Sequence, residues 1–195
     1  MKSLVGSKTA DNLAKAFAGE SQARNRYTFY AKVAQKEGHM QISNVFYETA
    51  DNERAHAYIF FDFLVKGLGK NQIHVDADYP VAYGDTLENL MAAAEGEKEE
   101  WGKAYPEFAK IAKEEGYPEV EFAFNKILEI EKGHEQRYLD LYEALKNDRL
   151  YKRDTEQYWK CINCGYIYEG TEAPKVCPAC KFPQGYFEIM YDTKE

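Results

Sequence analysis

Long apolar runs are missing from this 195-residue chain. No stretch reaches the roughly 18 consecutive apolar residues of a membrane-spanning helix, and Met1 to Asp11 lacks the apolar centre of a secretory signal. A cytoplasmic protein with no membrane partner is expected. Positive charge is scarce: 25 Lys and Arg against 33 Asp and Glu leave a net charge of -8. That argues against nucleic acid as a partner, because such binders need clustered cations to displace counterions from phosphates. Cysteine is absent before Cys161, and all four then fall between 161 and 180 as two C-x-x-C pairs. In a reducing compartment such pairs suggest metal ligation before disulfides.

What the chain does have is acid in unexpected places. Glu131-Lys132-Gly133-His134 and its earlier twin Glu53-Arg54-Ala55-His56 each set a carboxylate and an imidazole one helical turn apart, so that both can grip one metal ion. Both lie on stripes that should be apolar. Val120, Phe124, Ile127, Glu131, His134, Tyr138, Leu141 and Leu145 alternate in steps of four and three, as do Ile42, Phe46, Thr49, Glu53, His56, Phe60 and Phe63. An ionised carboxylate buried there is prohibitively costly without a compensating cation or proton.

The periodicity predicts four long helices, roughly Thr9–Glu37, Gln41–Lys66, Thr86–Glu115 and Pro118–Asn147. The inner face of the first carries Leu13, Phe17, Glu20, Arg24, Tyr27, Ala31 and Ala34; that of the third carries Leu87, Leu90, Ala94, Glu97 and Trp101. Asp85 and Glu88 form a plausible capping box for the third. Residues 67 to 85 lack helical periodicity and are long enough to cross from one end of a bundle to the other. The second helix pair repeats the first: Tyr27, Tyr30, Ala31, Glu37 and Gly38 answer to Tyr105, Phe108, Ala109, Glu115 and Gly116 at an offset of 78, as do Glu53 and His56 to Glu131 and His134. Gly19-Glu20 answers to Gly96-Glu97 at an offset of 77 instead. One residue is therefore inserted before Tyr105, and a π-bulge or kink is predicted between about Glu100 and Pro106. The inserted turn adds Glu100, a spare carboxylate that makes the site asymmetric.

Glu20, Glu53, His56, Glu97, Glu100, Glu131 and His134 are thus the candidate ligands of a first metal site. One Glu from each of two helices plus an E-x-x-H from each of the other two is the carboxylate-bridged dimetal arrangement of ferritin-like bundles. Tyr27 and Tyr105, on inner stripes, are either core aromatics or hydrogen-bonding partners beside the metals. In the tail, C-x-x-C twice, twelve residues apart, marks a tetrahedral thiolate site for Cys161, Cys164, Cys177 and Cys180; spacing alone allows zinc or iron. The expected division is a bundle over 1–147, a linker over 148–158, and a small metal-dependent domain with short β-strands over 159–195.

The tail's C-x-x-C-G-Y-x-Y opening resembles rubredoxin, although Lys181 stands where a glycine usually follows the last cysteine. The whole chain resembles the rubrerythrin family. That resemblance implies an antiparallel four-helix bundle with one long crossover and three iron ions per chain, a diiron centre and an Fe(Cys)4 centre. Glu53 and Glu131 would bridge, Glu20 and Glu97 would be terminal ligands, His134 would bind the second iron, and His56 and Glu100 would exchange at the first. It further implies reduction of hydrogen peroxide to water, with electrons relayed through the tail from a reduced-nicotinamide-dependent donor, a rubredoxin or its reductase, in defence against oxidative stress. A head-to-tail homodimer is also implied, and the distance from His134 to the bundle's end, about 20 Å along the helix, favours it. The alternatives are a ferroxidase or iron-storage protein using the same site, and a non-catalytic bundle with a zinc ribbon.

Overall fold

The structure, a computed structural model, describes residues 2–190. Met1 and the last five positions of the small domain, 191–195, lie outside the described residues. Helices α1 (Lys8–Lys36) and α2 (Met40–Leu68) form one antiparallel pair; α3 (Thr86–Glu99), a π turn (Glu100–Ala104), α4 (Tyr105–Glu114) and α5 (Pro118–Lys146) form the other. The π turn lies within the span predicted from the one-residue insertion, with the Tyr105 N–H bonding back five residues to the Glu100 carbonyl. Each pair turns on a glycine at positive φ, Gly38 (86°) and Gly116 (78°), the left-handed conformation that closes a helix at no steric cost to glycine. The Asp85–Glu88 capping box opens α3.

Two apolar clusters fill the bundle. One gathers Leu13, Phe60, Tyr105, Val120, Phe124 and Ile127; the other gathers Tyr27, Tyr30, Phe46, Leu90 and Tyr138. Along α1, α2 and α5 the glutamates and histidines fall between the segments that feed these clusters, so a polar layer crosses the middle of the bundle. Two residues depart from their expected stripes. Arg24 is exposed and Ala23 is buried instead. Trp101 is turned by the π turn to the bundle's flank, where its indole N–H donates to Glu135 (2.7 Å) and Lys132 lies over the ring.

The C-terminal unit is a three-stranded antiparallel sheet in the order β2-β1-β3, with β1 Lys152–Cys161, β2 Ile167–Glu172 and β3 Phe187–Ile189. Its core is Trp159, Cys161, Ala173, Cys177 and Phe187. The span expected as a linker, 148–158, already contains the start of β1: Lys152 pairs with Glu172, and an irregularity before Gln157 takes up the slack. The strand is hidden in the sequence because these early residues are polar and mostly exposed. The unit rests on the turn at the end of its own bundle. An added Cβ at Gly185 would overlap the Gly38 carbonyl oxygen, and His39 stacks on Tyr151, its Nδ1 3.1 Å from the tyrosine hydroxyl. Among the described residues no helix is long and apolar enough to cross a membrane.

Candidate metal centres

The bundle's polar layer brings together six of the seven residues expected there. Glu20 sits on α1, Glu53 and His56 on α2, Glu97 on α3, and Glu131 and His134 on α5, all buried. They converge as two overlapping sets, Glu20, Glu53, His56 and Glu131 in one and Glu53, Glu97, Glu131 and His134 in the other, each with its ligand atoms within 4.8 Å of one another. The two carboxylates shared by both sets face both imidazoles. Glu53 lies 3.0 Å from His56 Nδ1 through one oxygen and 3.4 Å from His134 Nδ1 through the other; Glu131 does the same at 2.8 and 2.7 Å. Glu20 and Glu97 close the outer sides, at 3.9 Å from His56 and 3.8 Å from His134.

Hydrogen bonding does not account for this convergence. Close as the imidazoles lie, Glu20 Oε2, Glu53 Oε1, Glu97 Oε2, both Glu131 oxygens and His134 Nδ1 are buried without a hydrogen bond of good geometry. Such atoms are expensive in a protein interior unless something cationic sits among them. Four carboxylates balance two divalent ions, and the donor set of oxygen and imidazole suits iron. Each outer carboxylate is also held from behind. Tyr27 on α1 donates to Glu97 (2.6 Å), and Tyr105 on α4 donates to Glu20, an exchange between the duplicated halves. Burial, then the neighbouring carboxylates, push both phenols well above their usual range, so both remain donors.

Without metal the layer shares protons. Burial raises Glu20 well above the carboxylate range, and burial together with Glu53 raises Glu97 to about 8. Burial acts upward on Glu131 too, but the imidazoles of His134 and His56 facing it hold it below the usual value. Burial alone would lower the histidines; the facing carboxylates instead push His56 up to about 9 and His134 up to about 12.

Glu100 stands apart. It is half-buried at the start of the π turn, outside both close sets, with Oε1 turned toward Gly19, and burial followed by Glu97 raises its carboxyl well above the usual range. One contributing residue was missed from sequence. Asn52 Oδ1 lies 3.3 Å from His134 Nε2, where accepting a hydrogen bond from the Nε2–H leaves Nδ1 free to face the carboxylates. The clue was the duplication: the position matching Asn52 is Ile130, so only one half carries this support.

In the tail, Cys161 and Cys180 sulfurs lie 3.7 Å apart and those of Cys164 and Cys177 3.8 Å. A metal–sulfur bond of about 2.3 Å in a tetrahedron requires edges of about 3.8 Å, whereas a disulfide requires about 2.05 Å. The four cysteines fit one ion. Each knuckle ends on a residue at positive φ, Gly165 at 78° and Lys181 at 66°. A backbone N–H from Phe182 helps draw the Cys180 thiol down to about 6, poised to ligate.

The family model described as Rubrerythrin matches residues 11–142, and that for the rubredoxin-like domain of rubrerythrin matches 159–188. Rubrerythrin-1 of Clostridium acetobutylicum is 57% identical over 194 residues, covering 99% of this chain and all of the relative. Rubrerythrin of Nitratidesulfovibrio vulgaris is 47% identical, covering 97% and 98%. A solved structure of nigerythrin in a mixed-valence state superposes with a TM-score of 0.65 at 30% identity, covering 97% of this chain and 92% of that one. With a ferritin-like bundle whose carboxylate and histidine cluster can hold an iron pair, and a rubredoxin-like tail whose four cysteines can hold a single iron, the chain belongs to the rubrerythrin family.

Proposed function

We propose that this protein is a cytoplasmic peroxidase that reduces hydrogen peroxide to water. The observation that carries the reading is the pairing of a buried dimetal-type cluster with a tetrathiolate site in one chain. Glu53 and Glu131 would bridge two irons, with Glu20 and His56 completing one side and Glu97 and His134 the other. When bound, the iron pair supplies two electrons for cleavage of the O–O bond, and the single iron of Cys161, Cys164, Cys177 and Cys180 relays replacements one at a time from a rubredoxin-type donor system.

The chain's own residues prepare the site. The two shared carboxylates hold both imidazoles at fixed spacing, with ring centroids 6.1 Å apart. Tyr27 and Tyr105 hold the outer carboxylates and keep water from their far side. Glu100 stands one turn beyond Glu97, free to approach the His56 side. The bundle over 1–147 would thus take electrons from a tail over 159–195. Because the tail rests on the end of its own bundle through Gly185 and Gly38, the reading assigns delivery to a second chain packed head to tail.

Stopped-flow oxidation of the reduced protein by hydrogen peroxide tests this. Glu100→Ala is expected to slow oxidation about tenfold or more with iron content nearly intact, and Cys161→Ser to block donor-dependent turnover while the bundle remains folded. Unchanged rates in both variants would overturn the reading.

A further inference from the structure

Beneath the crossover, against the proposed dimetal site, lies a cavity of about 380 Å³. The segment from Ala77 to Ala82 roofs it and is pinned twice: Tyr79 donates its hydroxyl to the Lys15 carbonyl (2.9 Å), and Tyr30 donates to the Ala82 carbonyl (2.7 Å). Gly19, Gly96 and Glu100 line it, and the two glycines immediately precede Glu20 and Glu97. Both sit inside long helices, where glycine is less stable than alanine. An alanine Cβ would fit at either, meeting Tyr79 at 3.6 Å and Glu100 at 3.9 Å from position 19, and Arg26 at 3.7 Å and the Tyr27 hydroxyl at 3.8 Å from position 96. Packing therefore does not demand glycine at either place. What the missing side chains leave is open room against the groups around the metal site.

That room exceeds what hydrogen peroxide needs. A water molecule takes about 30 Å³, and two oxygen atoms roughly twice that. The cavity falls instead in the range of small organic ligand sites, about 300–1,000 Å³. Tyr79, Pro80 and Phe108 give it apolar wall. Arg26, also in its lining, supplies a fixed cation: its Nε donates to Gln22 (2.6 Å) and its guanidinium lies 5.5 Å from the Tyr27 ring centre. Its Nη2 lies 3.7 Å from where a Cβ on the cavity-lining Gly96 would stand, so a polar ligand in the cavity would meet a positively charged donor there.

We infer that this cavity binds a small alkyl hydroperoxide, its alkyl group against Tyr79, Pro80 and Phe108 and its peroxide oxygens on Arg26, facing Glu100. The inference rests on the peroxidase reading. The O–O bond breaks; the alkyl-bearing oxygen leaves as an alcohol and the other as water, with two protons from solvent and two electrons from the reduced iron pair.

Two measurements on the full-length chain test it. In the zinc-loaded, redox-inert protein, the methyl resonances of Ala92 and Ala104, both in the cavity lining, should shift saturably on addition of tert-butanol, and the Ala104 shift should be lost in Gly19→Leu. In the reduced iron-loaded protein, tert-butyl hydroperoxide should oxidise the iron, and its rate relative to hydrogen peroxide should fall about tenfold or more in Gly19→Leu. Ala92→Leu, a helix-compatible filling from the opposite side, should do the same and guards against misfolding of the first variant. Absence of saturable shifts, an unchanged ratio in both filled variants, or oxidation by hydrogen peroxide alone would overturn the inference. Oxidation by neither peroxide would overturn the peroxidase reading itself and this inference with it.

Discussion

Tyr27 and Tyr105 show how single hydroxyls support the layer. Each donates to the carboxylate on the opposite half, so Tyr27→Phe removes a charge-assisted bond and leaves a Glu97 oxygen unpaired, at a cost of about 1.5–3 kcal/mol. Metal affinity should fall about tenfold with helix content unchanged, as competition with a chelator would show. Asn52→Ala should act the same way on the His134 side only. In the tail, Lys181 occupies a conformation that costs a non-glycine residue about 1–2 kcal/mol. Lys181→Gly should therefore stabilise the tail by about 1 kcal/mol, measured as a shift in the thermal loss of its charge-transfer absorption; a destabilised tail would show that the Lys181 Nζ contact to the Pro178 carbonyl matters more.

At the scale of elements, the π turn is the feature that separates the two halves. Tyr105 stands eight residues after Glu97, whereas Tyr27 stands seven after Glu20. Deleting Gly102, where an added Cβ would meet open space, should restore the shorter spacing and a regular helix. The bundle should then fold and still bind its metal pair, but Glu100 would swing away and peroxide oxidation would slow about tenfold or more. This turn was legible because duplication turns a one-residue insertion into a mismatch of offsets, and the glutamates were legible because charge on an apolar stripe contradicts its surroundings. The crossover's existence was legible too, but its packing was not. A stretch without periodicity carries no signal of what it packs against, so the pinning by Tyr79 and Tyr30 and the room beneath them emerged only from the fold. The early part of β1 was hidden for the same reason, and Trp101 was misplaced because the insertion that predicted the π turn also rotates the residue next to it.

For the whole molecule, charge burial and metal binding are one problem. In the metal-free chain, Glu97 binds its proton more tightly folded than unfolded, so it removes stability as pH rises from near 4 through 8. His56, raised to about 9, contributes stability that is fully present below about 6.5 and lost as pH rises through 9. Both slopes run the same way, so the metal-free melting temperature should fall by several degrees between about pH 6 and pH 8, while the metal-loaded protein changes little over that window. Docking of the tail is a second property at this scale: Gly185→Val should push it off the bundle end, leaving its iron spectrum intact while slowing donor-dependent turnover. The central claim is that this acidic layer can exist inside an aromatic bundle because paired metal neutralises it. Iron analysis of the parent chain beside Glu131→Ala tests that most directly: about three irons per chain should drop to about one, held by the tail, and the variant bundle should be less stable. A parent chain that takes up no metal between its helices, or a Glu131→Ala variant that keeps about three irons per chain, would contradict the account.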